Sequence, residues 1–160
     1  MQLFLQKTET ELKIRNYSPK TINAYLFCLK DYFNYKQFDL DKLDQDSIRQ
    51  YLLQKQGKNY SPQTINLYLN AIKFFYHDII KETTPINIKF AKRNKSLPIV
   101  LSKSEIQNLL SVIKNNKHRL LLSLTYGAGL RVSEVINLKV KDLNLEELTI
   151  HLKQAKGKKD

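Results

Sequence analysis

Asn16-Tyr-Ser-Pro-Lys-Thr-Ile-Asn-Ala-Tyr-Leu26 returns 43 residues later as Asn59-Tyr-Ser-Pro-Gln-Thr-Ile-Asn-Leu-Tyr-Leu69, with nine of eleven positions identical. In both copies a serine precedes a proline. That order predicts a Ser N-cap followed by Pro at the first helical position, where its missing N–H costs nothing. Behind each cap runs one helical stripe: Ile22, Leu26, Leu29 and Phe33 in the first copy, Ile65, Leu69, Ile72 and Tyr76 in the second. Another face of the second helix carries Asn66, Asn70, Lys73 and His77. The matching row of the first is Asn23, Phe27, Lys30 and Asn34, interrupted by Phe27. Each copy therefore opens an amphipathic helix with a core face and a face of amides and cations. Two similarly capped helices in one bundle explain the stripes. Helix N-termini and polar rows would also suit phosphates and base edges. Tyr17 and Tyr60 read first as packing residues, with a hydrogen bond to phosphate as the alternative. Two copies fall short of the three or more that a helical repeat array needs.

The neighbouring segments complete a small bundle. Residues 2–15 predict a first helix with Phe4, Leu5, Leu12 and Ile14 inward. Asp39 to Asp46 is a polar connector, and Asp44 or Asp46 is expected to cap a short helix over 47–56 that stops at Gly57-Lys-Asn. Four helices over about 85 residues can enclose a core. The periodicity then lapses, and 83–98 reads as a basic interdomain linker carrying Lys89, Lys92, Arg93 and Lys95. A solvated charge run and contact with a polyanion both explain it. A second domain is expected over 99–160. Ser102-Lys-Ser-Glu105 is a capping-box match, 120–126 is an apolar helix expected to be buried, Gly127-Ala-Gly129 stops it, and 146–152 alternates like a strand before a turn at 154–159.

Charge narrows the function classes. The chain carries 27 Lys+Arg against 15 Asp+Glu, a formal +12, with a pI near 9.7 and 42% hydrophobic residues. So cationic a globular chain suggests an external polyanion, or else a soluble protein with a skewed surface. Cys28, the lone cysteine, cannot form an intramolecular disulfide and reads as a core thiol. The sequence shows neither a signal-peptide layout nor an apolar run of membrane-spanning length, so a cytoplasmic protein is expected. Only five of the 27 basic residues are Arg. Arg131 lies between an apolar helix and the pattern Val132, Val135, Ile136, Leu138. It is expected to be held by packing, either as a structural pair with Glu134 or as a rigid bidentate fork for a phosphate.

Thr125-Tyr-Gly-Ala-Gly-Leu-Arg-Val-Ser-Glu134, with Leu138, Lys141-Asp142 and Lys156-Gly-Lys-Lys, resembles the start of the catalytic domain of Xer-type tyrosine recombinases, the phage-integrase family. The first half resembles that family's core-binding domain, including the Tyr-Ser-Pro-Lys-Thr opening. The resemblance implies a mainly α fold: a four-helix, SAM-like core-binding bundle over 1–82, the linker 83–98, and an incomplete α+β catalytic domain over 99–160. It implies double-stranded DNA as partner, association of protomers on DNA, nucleoid association, and neither cofactor nor metal. Family members cut DNA by attack of a tyrosine on the scissile phosphate. Arg131 matches the first phosphate-clamping arginine, and Glu134 a recurring acidic neighbour. Lys156 matches the general-acid lysine, with Lys158 or Lys159 as register alternatives and a plain basic turn as the other reading. DNA contacts are expected from Lys20, Thr21, Asn23, Lys30, Gln63, Thr64, Asn66, Asn70, Lys73, Lys92, Arg93 and Lys95.

The departures are equally specific. His77, His118 and His151 are followed three residues later by Ile80, Leu121 and Gln154, never by Arg, and all nine tyrosines precede residue 127. Strand cleavage by this polypeptide alone is therefore not expected. A strand at 147–152 lacking its hairpin partner would expose an edge, so 99–160 is expected to be less stable than 1–82 and to self-associate. A stand-alone, non-catalytic DNA-binding regulator or architectural protein is the alternative reading. RNA binding has less support, because an exposed aromatic platform is missing.

Overall fold

The computed structural model describes residues 1–92 and 97–152. Two compact units divide the chain, Met1–Ser96 and Leu97–Asp160. In the first, α1 (Gln2–Ile14) ends where Asn16 takes a positive φ of 55° and the N–H groups of Asn16 and Tyr17 bond back to the carbonyls of Lys13 and Leu12. Helix α3 (Gln45–Gly57) ends the same way, with Asn59 at φ 59° and bonds from Asn59 to Gln56 and from Tyr60 to Lys55. This is the two-bond Schellman closure, and Asn tolerates its left-handed position better than most residues. Ser18 and Ser61 then cap α2 (Pro19–Lys36) and α4 (Pro62–Phe74), each accepting a 3.2 Å bond from the Thr N–H three residues on. The repeated stretch is therefore a whole helix–helix connection. Its Asn-Tyr closes one helix and its Ser-Pro opens the next, first between α1 and α2, then between α3 and α4.

The stripes read from the sequence are inside. Ile22, Leu29, Phe33, Ile65, Leu69, Ile72 and Tyr76 are buried and Leu26 is half-buried. Around them lie Tyr32, Tyr51, Tyr68 and Phe75, joined by edge-to-face ring contacts such as Tyr32–Tyr51 at 5.2 Å and Phe33–Phe75 at 4.8 Å. Cys28 is buried among them, and desolvation, helped by the charge of Asp31, pushes its thiol up to about 12. Ile14 departs from expectation and is 73% exposed. Two residues beyond buried Leu12, it has turned through about 200° to the opposite face of α1. Thr8, one turn before Leu12, takes the inner position and donates its hydroxyl to the Phe4 carbonyl at 2.8 Å. Of the two candidate caps, Asp44 serves, accepting from Asp46 and Ser47 N–H at 3.0 Å and starting α3 at Gln45. Helix α4 runs on into a π-helical turn, Phe75–Ile80.

Residues 85–91, expected to be linker, lie along the bundle instead. Ile86, Ile88 and Ala91 pack on the core, and side chains of Gln45, Asn66 and Lys73 bond the segment's backbone. Its apolar residues at period two, Ile86 and Ile88, supply the reason: alternate positions of an extended chain turn to one face.

The second unit contains α5 (Lys103–Val112), α6 (Asn116–Gly127), α7 (Val132–Asn137), a 3₁₀ turn at Val140–Asp142, β1 (Leu143–Asn144) and β2 (Thr149–Ile150). Ser102 and Glu105 form the expected capping box. Helix α6 is not the buried helix anticipated: Leu120, Leu122 and Tyr126 are 59%, 43% and 55% exposed. A helix apolar on most of its circumference needs neighbours on every side, and within this unit α6 packs on α5 and α7. The expected strand over 146–152 shrinks to Thr149–Ile150, and its partner is upstream: Leu143 pairs with Ile150 and Asn144 with Thr149, antiparallel. Asn144 Oδ1 accepts from the N–H groups of Glu146 and Glu147 at 3.0 and 3.1 Å and shapes the turn.

Candidate nucleic-acid interface

The two copies of the repeat present different outer faces. On α2, Lys20, Asn23, Phe27, Lys30 and Asn34 are all exposed, while the Thr21 hydroxyl lies 2.9 Å from that of Ser18. This row is open to a ligand along its length. Gln63 and Asn70 on α4 and His77 in the π-helical turn are exposed, and the Thr64 hydroxyl sits 3.0 Å from that of Ser61. Asn66, expected to face DNA, is buried: its Nδ2 donates to Ala91 O at 3.0 Å and its Oδ1 accepts from Ala91 N–H at 2.7 Å. Lys73 is likewise engaged. It donates to Ile88 O at 3.1 Å, with its ammonium 5.0 Å from the Phe90 ring centre. Both expectations are corrected by the segment 85–91, which occupies that face of α4. Lys92 is exposed, whereas Arg93, Lys95 and Lys156 lie outside the described residues, as do Lys158 and Lys159. Tyr17 and Tyr60 pack against neighbouring rings, Tyr17 tilted to Tyr25 and edge-to-face with Phe74, Tyr60 edge-to-face with Tyr68.

One lysine is withdrawn from any surface role. Lys55 is 5% exposed; its ammonium bonds Asp31 Oδ2 and sits 5.0, 5.1 and 5.4 Å from the ring centres of Tyr51, Tyr68 and Tyr60. Asp31 Oδ2 also accepts from Tyr68 and Tyr51 hydroxyls at 2.9 and 3.1 Å. Desolvation works to raise the pKa of Asp31, but the bonds from Lys55, Tyr68 and Tyr51 outweigh it and hold the carboxyl below its usual range. The knot ties α2, α3 and α4 together. Burial, first of all, pushes the Tyr32, Tyr51 and Tyr68 hydroxyls above the ordinary phenol range, away from what an activated nucleophile needs.

A groove of about 850 Å³ opens beside the knot, between α3, the start of α4 and the segment 88–92. Arg49, Gln56, Asn59, Lys89 and Lys92 supply part of its polar lining, and Leu52, Leu53 and Ile88 part of its apolar lining. Lys89 was expected only as part of a basic linker, and Arg49 and Gln56 did not figure among the expected contacts, because their convergence requires a chain-distant segment to lie beside α3.

In the second unit, Gly129 takes φ 64°, a conformation open to glycine, and turns the chain so that Leu130 goes inside and Arg131 emerges at the start of α7. Arg131 N–H donates to Glu134 Oε2 at 2.7 Å and its Nη1 to Oε1 at 2.6 Å. The backbone bond, reinforced by the guanidinium, holds the Glu134 carboxyl below its usual range. Arg131 is 60% exposed while Glu134 is 11% exposed. The expectation of an arginine locked by surrounding hydrocarbon is thus corrected. A fixed carboxylate orients the fork, and the hydrocarbon at Val132 and Ile136 is itself exposed. Among the described residues no group of three or more His, Cys, Asp or Glu could hold a metal ion, and no helix is long and apolar enough to cross a membrane.

Fold and surface together define a basic, mainly helical protein of two units. Residues 4–86 match the family model described as phage integrase, N-terminal SAM-like domain, and residues 99–160 match that of the phage integrase family. The chain belongs to the phage integrase family. It is 33% identical over 157 residues to the tyrosine recombinase XerA of Pyrococcus horikoshii, covering 98% of this chain and 53% of the relative. It is 29% identical over 158 residues to the putative integrase/recombinase y4qK of Sinorhizobium fredii, covering 97% and 51%. The chain thus spans about half the length of these curated relatives. In fold it is similar to the Tn1549 transposon integrase solved with circular intermediate DNA, with a TM-score of 0.65 at 19% identity over 96% of this chain and 56% of that one.

Proposed function

We propose that this chain is the DNA-binding portion and first part of the catalytic domain of a site-specific tyrosine recombinase. It grips double-stranded DNA in the cytoplasm, at the nucleoid, together with other protomers. The domain division proposed is a DNA-binding bundle followed by the start of a catalytic domain. The observation that supports the reading best is the Arg131–Glu134 fork after the Gly129 turn, within the residues matched to the integrase family. A guanidinium has five N–H donors, and only Nη1 is committed to Glu134. The remaining donors suit the non-bridging oxygens of a phosphodiester. Fixed in advance, they would stabilise charge that grows on those oxygens in the transition state. Lys156 is proposed as general acid on the family resemblance. Cleavage itself needs a tyrosine and a His-x-x-Arg beyond those these 160 residues contain, so the role assigned here is phosphate gripping. Catalytic ancestry sets aside the alternative of a regulator unrelated to recombinases.

On the bundle, the exposed α2 row of Lys20, Asn23, Lys30 and Asn34 is the proposed duplex-facing surface, with Gln63 and Asn70 from α4. The test is duplex binding across a salt series. Each phosphate contact contributes about −0.9 to the slope of log affinity against log salt, so a slope of several units is expected. A flat salt response would reject the reading. In a recombinase carrying this sequence with a downstream catalytic half, Arg131→Ala should abolish cleavage while leaving duplex affinity within a few-fold. Intact cleavage would remove Arg131 from the site.

A further inference from the structure

Two amide side chains distant in sequence make the same unusual contact. Asn66 donates to Ala91 O at 3.0 Å and accepts from Ala91 N–H at 2.7 Å. Gln45 donates to Pro85 O at 3.2 Å and accepts from Asn87 N–H at 3.2 Å. A primary amide offers a donor and an acceptor side by side, as a peptide group does, so each can pair with an extended backbone as a neighbouring strand would. Between the two clamps Lys73 bonds Ile88 O at 3.1 Å. Residues 85–91 are thus held at both ends and in the middle, and 87–91 lie past the first family match, which ends at residue 86. Held so, the segment forms one wall of the groove and brings Lys89 and Lys92 into the same concavity as Arg49. No carboxylate is among the described residues lining that groove. The Arg49 partner, Asp46, is 82% exposed, and a pair so open to water is cheap to exchange for another anion.

We propose that Asn66 and Gln45 are positioning residues: they pin residues 85–91 to the bundle and thereby build, from Lys89, Lys92 and Arg49, a groove for a DNA phosphodiester backbone. This rests on the DNA-binding reading and adds to it a contact surface separate from the α2 row. Lysines on a free segment would lose chain entropy on meeting a phosphate, and the two clamps settle that cost at folding. The repeat explains why the feature is asymmetric. Asn23, the counterpart of Asn66, is exposed and remains available to a ligand.

The experiment compares wild type, Gln45→Ala/Asn66→Ala, Lys89→Ala/Lys92→Ala and the quadruple variant, using a labelled 30-base-pair duplex over a salt series and amide exchange. The clamp variant should lose protection at the Asn87 and Ala91 amides while α2 and α4 keep theirs. Its salt slope should become shallower by about 2, at about 0.9 for each phosphate no longer neutralised. Adding the lysine substitutions should then change the slope no further. A clamp variant that loses both protected amides yet keeps the wild-type slope overturns the proposal, as does one that keeps both amides protected. Should the clamp variant not fold, Gln45→Ala alone carries the test through the Asn87 amide and a smaller change of slope in the same direction, with the same two overturning results. A wild-type protein lacking salt-dependent affinity sinks the DNA-binding reading and this inference with it, an outcome distinct from the other two.

Discussion

The two units of this chain carry similar helices and have very different interiors. Among the described residues, eighteen buried hydrophobic side chains belong to the first unit, and two, Leu130 and Val135, to the second. Helix α4 buries seven of its residues, whereas α5 and α6 bury none. Propensity and capping are not the difference, because Ser102 and Glu105 cap α5 more completely than Ser61 caps α4. What differs is neighbours. Helix α4 packs on α2 and α3, and Phe74 at its end clusters with Leu12 of α1 and Ile22 of α2, so its apolar residues are covered from several sides. The lesson is that a well-capped amphipathic helix acquires stability from the elements set against it.

Hydrogen exchange offers the widest measurable gap. Amides of α2 and α4 should exchange about a thousandfold more slowly than those of α5 and α6, a difference of about 4 kcal/mol in opening free energy. Equal protection would erase the comparison. Side-chain truncation sharpens it next. Leu69→Ala, at a position 1% exposed, should cost about 2–5 kcal/mol in chemical denaturation. Leu122→Ala, at 43% exposed, should stay under about 1 kcal/mol. Similar losses at the two sites would mean that α6 is covered.

The Asp31–Lys55 knot gives the interior of the first unit a dependence on acid. Asp31→Asn should cost about 1–3 kcal/mol at neutral pH, toward the lower end because the Asp31 side chain is 36% exposed. The Asp31 carboxyl is held below its unfolded value, so its contribution is present above about pH 4 and fades as pH falls through the folded pKa. Stability curves of wild type and variant should therefore converge on the acid side. Curves that stay parallel down to about pH 2 would remove Asp31 from the account. The smallest effect compares the two copies of the repeat with each other. Ser18→Ala and Ser61→Ala should each lower stability by about 1 kcal/mol, nearly equally, because both caps bond at 3.2 Å and follow the same closure. A cost at only one serine would show that the copies are alike in sequence but not in energetics.

Much of the first unit is legible in the sequence. Ser-Pro at 18–19 and 61–62 marks two helix starts, and spacings of four and three place Ile22 through Phe33 and Ile65 through Tyr76 inside. Asn16 and Asn59 belong to the same repeated stretch, but their work as left-handed helix stops cannot be read there, because it depends on where the preceding helix ends. Ile14 reads as a core residue because an apolar side chain near a helix end looks inward unless its angle from Leu12 is counted. At the site, Arg131 and Glu134 stand out by residue type and spacing, while the support of the arginine does not. The sequence shows hydrocarbon beside Arg131, but not whether that hydrocarbon is covered.

Local order was settled by the chain alone: caps, stops, the i,i+3 and i,i+4 stripes, the surplus of lysine, and the Arg-Val-Ser-Glu block that marks the family. These depend on residues within one or two turns of each other, where backbone geometry leaves few choices. The fate of Asn66, Lys73, Gln45 and Lys55 was decided only in three dimensions. Each is a polar side chain that sequence alone would assign to solvent or a ligand, and each found its partner in another part of the bundle, Asp31 for Lys55 and the 85–91 backbone for the rest. Hydrogen bonds and charge pairs are short-ranged and directional, so their partners are chosen by whatever packing brings within about 3 Å, and packing is a property of the whole bundle.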